Sequence, residues 1–306
     1  MTSAFSGVAL GCGNFGGIGS APAFFGKGIP RDEAFRIMDK AWANGITWFD
    51  TADAYGGGAS ESWIGDWRAE RRPDGLTLTT KVFHSTNGAP GDVGLAPDRI
   101  RRQLERSLER LGVDRVDLYL AHEPDPETPL ADTIGAFERL RDEGLIGAWG
   151  LSNYDAAAVE EALRHGRPAL VQNAYSLLDR SDDETVLPLC REHGIAYVPY
   201  GPLAGGWLTG KYRRGEPYPA GSRMTQRPES YEHLANGRVF DALDRLGQEA
   251  AARGVDRPTL AFAWVLTRAD GAVCGPNTVA QLEPVLAARH LALAADEVER
   301  LGALFA

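Results

Sequence analysis

Apolar positions along this chain recur with two alternating periods. Short runs such as "GVALGCG", "ITWFD", "LTLTTKV", "RVDLYLAH", "IGAWGLSN", "ALVQNAYS", "IAYVPYGPL" and "GAVCGPN" read as strands. Between them lie longer stretches whose apolar residues return every three or four positions. In "PDRIRRQLERSLERLG", Ile100, Leu104, Leu108 and Leu111 make one apolar helix face. In "PRDEAFRIMDKAWANG", Pro30 sits where a helix tolerates it and Gly45 where a helix commonly stops. The pattern predicts eight strands, near 8–10, 46–50, 76–81, 116–121, 147–151, 169–173, 195–199 and 272–274. Further helices are expected over about 61–69, 155–165, 181–193, 237–253 and 257–269, and in "PLADTIGAFERLRDEG". A long irregular segment covers about 205–236.

Strand–helix alternation implies parallel pairing with right-handed crossovers. Eight such units in 306 residues fit a closed (β/α)8 TIM barrel, taken as one domain over 1–306. An open doubly wound sheet would carry its glycine-rich turn into a helix. Here the glycines of "GCGNFGG" at 11–17 run into a loop, which disfavours that fold.

Composition then narrows the function. Apolar residues at 43% and charged residues at 24% are ordinary for a globular protein with a full core. A net charge of −10 argues against a nucleic-acid surface, and no apolar run is long enough for a membrane span. Cys12, Cys190 and Cys274 are far apart without metal-like spacing, so reduced cytoplasmic thiols are expected and no metal site. The N-terminal "MTSAFSGVAL" lacks the charged and long apolar regions of a signal peptide.

In a barrel of this kind, reactive groups sit at the C-terminal ends of the strands. Asp50 ends the second strand and Lys81 the third; His122 follows the fourth, Ser152 and Asn153 the fifth; Gln172 ends the sixth and Tyr200 follows the seventh. Tyr55 stands five residues after Asp50, beside three glycines. Taken singly, Asp50 reads as a cap, Tyr55 as a packing residue, Lys81 as a surface stem and His122 as a satisfied strand-end polar group. Together they complement one another. A tyrosine has a pKa of about 10, and a lysine beside it favours the phenolate. A carboxylate would hold that lysine charged, and a neutral histidine could hydrogen-bond a carbonyl oxygen. The set is a proton donor for an oxygen gaining negative charge, as carbonyl reduction requires.

These residues resemble the aldo-keto reductases. "FDTADAYGGGASE", "TTKV", "LAHEPD", "GLSN", "VQNAYS", "PYGPLAGGWLTGKY" and "GPNTVAQLE" are similar to that family's blocks, in the family's order, over about residues 5–290. The "PLAGGWLTGKY" run is most like the branch of aflatoxin-aldehyde reductases and potassium-channel β-subunits. The resemblance implies a (β/α)8 barrel that reduces a small aldehyde or ketone with a nicotinamide dinucleotide. It places Asp50, Tyr55, Lys81 and His122 as the catalytic tetrad. It also implies that Ser152, Asn153 and Gln172 bind the nicotinamide amide and that Tyr200 stacks on its ring. Gly201, Pro202 and Leu203 would follow the cofactor, and Lys211 and Arg223 would lie near its pyrophosphate.

The last block departs from the family pattern. Asn277 stands where a basic or hydroxyl residue usually reads the 2′-phosphate; Gln281 is kept; Pro284 and Val285 replace a Glu–Asn pair. Gly201 replaces the more usual serine after the aromatic. NADP(H) is therefore expected, with tolerance of NAD(H). Candidate substrate walls are Phe15, Trp63 or Trp67, Phe83, His84 and Glu123, and the aromatic ones favour a hydrophobic or cyclic carbonyl. The Gly/Pro-rich loop 84–97 is expected to be a mobile surface loop, and the segment 213–236 is expected to close over cofactor or substrate. Two rivals remain at this stage. One is a cofactor-sensing scaffold with little turnover, which would not need the tuned acid. The other is a Schiff-base lyase using Lys81, which the Asp50 neighbour opposes by keeping the amine charged.

Overall fold

The computed structural model describes residues 5–89 and 91–306. The start of the N-terminal stretch read for a signal peptide (1–4) and position 90 of the 84–97 loop lie outside the described residues. The strands are β1 Gly7–Gly11, β2 Trp48–Asp50, β3 Thr77–Val82, β4 Val116–Ala121, β5 Ile146–Ser152, β6 Leu170–Gln172, β7 Ala196–Tyr197 and β8 Gly271–Cys274. All pair in parallel, in the order β7-β6-β5-β4-β3-β2-β1-β8. The two ends meet through the Asp270 N–H to Tyr197 O (3.0 Å) and the Val273 N–H to Pro199 O (2.8 Å), which brings the sheet round into a barrel.

Helices α1 Arg31–Ala43, α2 Ala59–Arg71, α3 Pro97–Leu111, α4 Leu130–Asp142, α5 Ala156–Leu163 and α6 Val186–His193 connect successive strands from β1 onward. The segment after β7 carries 3-10 turns and the short α7 Arg223–Gln226, then α8 Gly237–Ala252 and α9 Arg257–Arg268. Two helices after β8, α10 Glu283–Ala288 and α11 Ala295–Ala303, are not among the expected elements. The expected strand at 195–199 shortens to two residues because Pro199 has no N–H to continue the ladder. The expected helix from 181 begins at Val186. Residues before it turn so that the Asp182 carboxylate accepts from Asn173 Nδ2 (2.8 Å) and the Tyr197 hydroxyl (2.7 Å). No helix among the described residues is long and apolar enough to cross a membrane.

Strand parity sorts the core into two layers, because alternate side chains point to opposite faces. Ala9, Trp48, Leu118, Leu120, Leu170, Ala196, Val198 and Val273 pack together inside the barrel. Val8, Leu10, Phe49, Leu78, Tyr119, Leu151, Val171 and Ala272 face the helices. Two residues beyond an inward position comes the next inward one. That step carries Trp48 to Asp50, Leu120 to His122, Leu170 to Gln172 and Val198 to Tyr200. A continuous apolar drive can therefore end on a carboxylate: Phe49 serves the outer layer, while Asp50 follows Trp48 inward.

Candidate active site

Asp50 pairs in register with Thr79, so Lys81, the next residue of the same parity on β3, stands beside it. Lys81 is fully buried, and its ammonium donates to Asp50 Oδ1 (2.5 Å), Thr51 O (2.9 Å) and the Tyr55 hydroxyl (3.4 Å). All three of its donors are thus directed. Gln172 Nε2 donates to the other Asp50 oxygen at 3.0 Å, so this side chain braces the carboxylate as well as lining the adjoining cavity. The Tyr55 hydroxyl lies 3.5 Å from His122 Nε2, with the two rings edge to face at 5.5 Å. His122 Nδ1 is buried and has no partner among the described residues.

The loop after β2 is shaped by its glycines. Gly56 has φ +60, and a Cβ there would fall 2.7 Å from Phe15 O. Behind the loop, Ser60 Oγ donates to Cys12 O (3.0 Å), so the Thr51 hydroxyl is the donor in the 2.8 Å Thr51–Ser60 contact. Buried Glu61 accepts from Thr80 Oγ1 (2.5 Å) and pairs with Arg110 (2.6 Å), tying α2 and α3 to β3.

Electrostatics divide the quartet. Burial works against the Lys81 ammonium, but Asp50 and Tyr55 outweigh it and its pKa lies above the ordinary value. Burial raises the Tyr55 phenol more than Lys81 lowers it, so the net shift is upward. The expected depression of the phenol by Lys81 is present as a contribution and loses to desolvation. Burial, then Lys81 and His84, push His122 well below its usual value, which keeps it neutral at neutral pH.

A cavity of about 790 Å³ opens over Asp50 and Tyr55. Its wall includes Gln172, Tyr200, Gly201, Pro202, Leu203, Lys211, Arg223, Asn277 and Gln281. Ser152 and Asn153 are not in this wall. Ser152 is buried, and Asn153 meets the wall through Tyr200, whose hydroxyl donates to Asn153 Oδ1 at 2.7 Å. Asn153 has φ +64, a region asparagine tolerates. Its Nδ2 donates to His122 O (2.9 Å) and approaches Glu123 Oε1 (3.3 Å).

The cavity also contains residues that the sequence pattern did not single out. Asn14 accepts from Arg223 Nη2 (2.8 Å) and donates to Asn277 Oδ1 (2.6 Å), bridging the loops after β1, β7 and β8. Asn277 N–H is taken by Gln281 Oε1 at 2.7 Å. The strand-end rule that found Asp50 could have found Asn14, three residues past β1. Lys27 and Arg227 join the wall only because their loops fold over it. Lys211 lies across Gly206, where a Cβ would fall 2.4 Å from its Nζ. Burial and Arg223 lower its pKa. Among the described residues, Lys27, Lys211 and Arg223 have no acid within ion-pair distance, in a chain of net charge −10. Cations without an acid partner along a cleft, with Arg223 part-buried, fit a phosphate-bearing dinucleotide. Pro258, Phe262, Pro284 and Val285 give the same cavity an apolar part.

The aromatic substrate walls are fewer than expected. Phe15 and Trp67 are fully buried and do not line the cavity. Trp67 packs under α1 with its Nε1 on Asp39 (2.8 Å), because its place on α2 faces the neighbouring helix and not the barrel mouth. Trp63 is part-buried, and Phe83 packs edge to face on His84.

The profile of the aldo/keto reductase family matches residues 8–305. The chain belongs to this family. As an aldo-keto reductase it is an oxidoreductase of small carbonyl compounds, in a family that uses nicotinamide cofactors. It is 34% identical over 266 residues to an NADH-specific methylglyoxal reductase of Escherichia coli (strain K12), covering 83% of this chain and 80% of that protein. It is 35% identical to a probable voltage-gated potassium channel subunit beta of Arabidopsis thaliana, covering 78% of this chain and 76% of that one. The solved glycerol dehydrogenase AKR11B4 from Gluconobacter oxydans superposes with a TM-score of 0.84 at 27% identity, covering 97% of this chain and 90% of that chain.

Proposed function

We propose that this aldo-keto reductase reduces an aldehyde or ketone to an alcohol with NADP(H), Tyr55 giving the proton and the whole chain acting as one domain. The observation that carries this reading is Lys81, held by Asp50 and directed at the Tyr55 hydroxyl on the cavity floor. When bound, the nicotinamide cofactor supplies the hydride. Tyr55 Oη donates to the carbonyl oxygen as negative charge develops there. Lys81 stabilises the phenolate left behind, and Asp50 keeps Lys81 charged and aimed. Neutral His122 orients the carbonyl through Nε2–H.

Ser152, Asn153 and Gln172 are assigned to the nicotinamide amide, for which Gln172 Oε1 is free of protein partners among the described residues. Tyr200 would face the ring; Gly201, Pro202 and Leu203 would follow the chain of the cofactor; Lys211 and Arg223 would meet its phosphates. Asn277 and Gln281 would lie at the adenosine end, where neutral Asn277 makes discrimination against NAD(H) modest. The cysteines are buried and in no disulfide, which fits a reducing, cytoplasmic setting. A lyase reading is disfavoured by the Lys81–Asp50 pair, which ties up the amine as an ammonium.

The test combines fluorescence titration with NADPH and NADH and carbonyl reduction followed at the nicotinamide absorbance, on wild type and Tyr55→Phe. Loss of the acid should lower turnover by about 10²- to 10⁴-fold. NADPH affinity should hardly change. Wild-type turnover by the Phe variant, on a substrate limited by chemistry, would defeat the assignment.

A further inference from the structure

Helix α3 turns two stripes toward the barrel, and only one of them is apolar. Ile100, Leu104, Leu108 and Leu111 make the apolar stripe, while Arg99, Gln103, Ser107 and Arg110 recur at three- and four-residue spacing along its flank. The polar stripe faces the turn after β2. Asp53, two residues before Tyr55, is fully buried there and feels the charges of both Arg99 and Arg110. Its backbone N–H donates to Lys81 O at 3.1 Å. Gln103 is also fully buried and stands between the two arginines on the same stripe, one turn from Arg99.

Most polar groups of this layer satisfy one another. Glu61 accepts from Thr80 Oγ1 (2.5 Å) and Arg110 Nε (2.7 Å), and the Tyr119 hydroxyl donates to Ile100 O (3.1 Å). Arg99 donates to Gly94 O (2.9 Å), His84 O (2.8 Å) and Asp92 O (3.1 Å), which holds the loop after β3. Gln103 Nε2 reaches Asp92 Oδ1 at 3.4 Å, so its amide oxygen points away from that carboxylate. Four buried atoms of the layer have no hydrogen-bond partner among the described residues: both Asp53 carboxyl oxygens, Gln103 Oε1 and Arg99 Nε. Buried polar atoms are nearly always bonded, either to protein or to ordered water.

Charge fixes what these four atoms offer. Three acids, Asp53, Glu61 and Asp92, meet two cations, Arg99 and Arg110, which leaves one negative charge in excess. Burial, then Glu61, raise the Asp53 pKa well above its usual value, so a proton on Asp53 removes that excess. The four atoms then comprise two donors, the Asp53 O–H and Arg99 Nε–H, and two acceptors, the other Asp53 oxygen and Gln103 Oε1. Water is their complement, since it gives two hydrogen bonds and takes two.

We propose that Asp53, Gln103 and Arg99 form a binding site for a buried water molecule, which joins the turn carrying Tyr55 to α3 and to the loop after β3. The site is separate from the large cavity, whose wall contains none of the three residues. Buried waters typically make about three hydrogen bonds to groups otherwise unsatisfied. Two guanidinium groups in the same layer disfavour a metal cation as the occupant.

A high-resolution crystal structure of the wild-type protein tests this. It should show a water within hydrogen-bond distance of the Asp53 carboxyl group and of Gln103 Oε1 or Arg99 Nε. Direct bonding of Asp53 to Gln103 or Arg99 with no such water overturns the proposal. Crystals grown in rubidium chloride should give no anomalous peak at the site; a peak there would make the occupant a monovalent cation and overturn it equally. In solution, oxygen-17 relaxation dispersion counts waters held longer than the protein takes to tumble. Gln103→Leu, which removes an acceptor, should hold one water fewer than wild type. Asp53→Asn, which keeps one donor and one acceptor, should hold the same number as wild type. An equal count in wild type and Gln103→Leu overturns the proposal, and should Gln103→Leu fail to fold, the wild-type crystal structure decides alone.

Discussion

Tyr55 stands between two opposing influences: burial that holds its proton on and Lys81 that pulls it off, with burial the stronger. The protonated phenol is the form that donates, so carbonyl reduction should stay level through neutral pH. It should fall only above the ordinary tyrosine pKa of about 10, as the proton is lost. Alcohol oxidation needs the phenolate and should climb over the same range. Lys81→Met removes the lowering influence, so the alkaline fall in its pH–rate profile should move further up. Combined with Tyr55→Phe, it should cost little beyond either change alone, as expected of residues acting as a unit. A Lys81→Met profile with its alkaline limb shifted down would contradict this. The quartet itself was legible because each member lies at or just past a strand end, where one fold places reactive groups. Phe15 and Trp67 were misjudged for the opposite reason: their facing depends on loop path and helix rotation, which sequence spacing near a site does not give.

At the scale of elements, the turn after β2 carries the phenol. Three consecutive glycines there have positive φ, and Gly56 also faces Phe15 O too closely for a side chain. Gly56→Val should therefore destabilise the protein by about 1–3 kcal/mol, read as a lowered urea midpoint with unchanged slope. An unchanged midpoint would mean that the turn can move away from the β1 loop. The strands and the helices that connect them were legible from their periods. The elements after β8 were not, because the short α10 and α11 offer few turns of apolar repeat. Nor were the contacts that Asn14, Lys27 and Arg227 make, since loops crossing the barrel mouth leave no periodic trace.

For the molecule as a whole, a carboxyl group buried beside α2 and α3 makes stability respond to pH. Asp53 is fully buried, and neither carboxyl oxygen has a well-formed hydrogen bond among the described residues. Burial, then Glu61, raise its pKa well above the usual value, and Arg99 and Arg110 only partly offset this. The folded state therefore keeps a proton that the unfolded chain loses near pH 4. As pH rises above that point, this residue subtracts stability, by at most about 1.4 kcal/mol per pH unit, until the folded-state pKa is passed. Asp53→Asn should remove that slope: the melting temperature of the variant relative to wild type should rise as pH goes from 5 to about 8. A difference that stays constant with pH would show that Asp53 ionises freely in the folded protein. The parity that brings Asp50, Lys81, His122 and Gln172 inward has a last consequence, in the currency of heredity. Substituting one residue for another alters a single side chain, but deleting or inserting one inside a strand would turn every later side chain of that strand to the opposite face. A carboxylate would then be pushed among the helices and a phenylalanine into the chemistry. Length changes are therefore absorbed with least disturbance between the strands, in the loops that surround the barrel mouth.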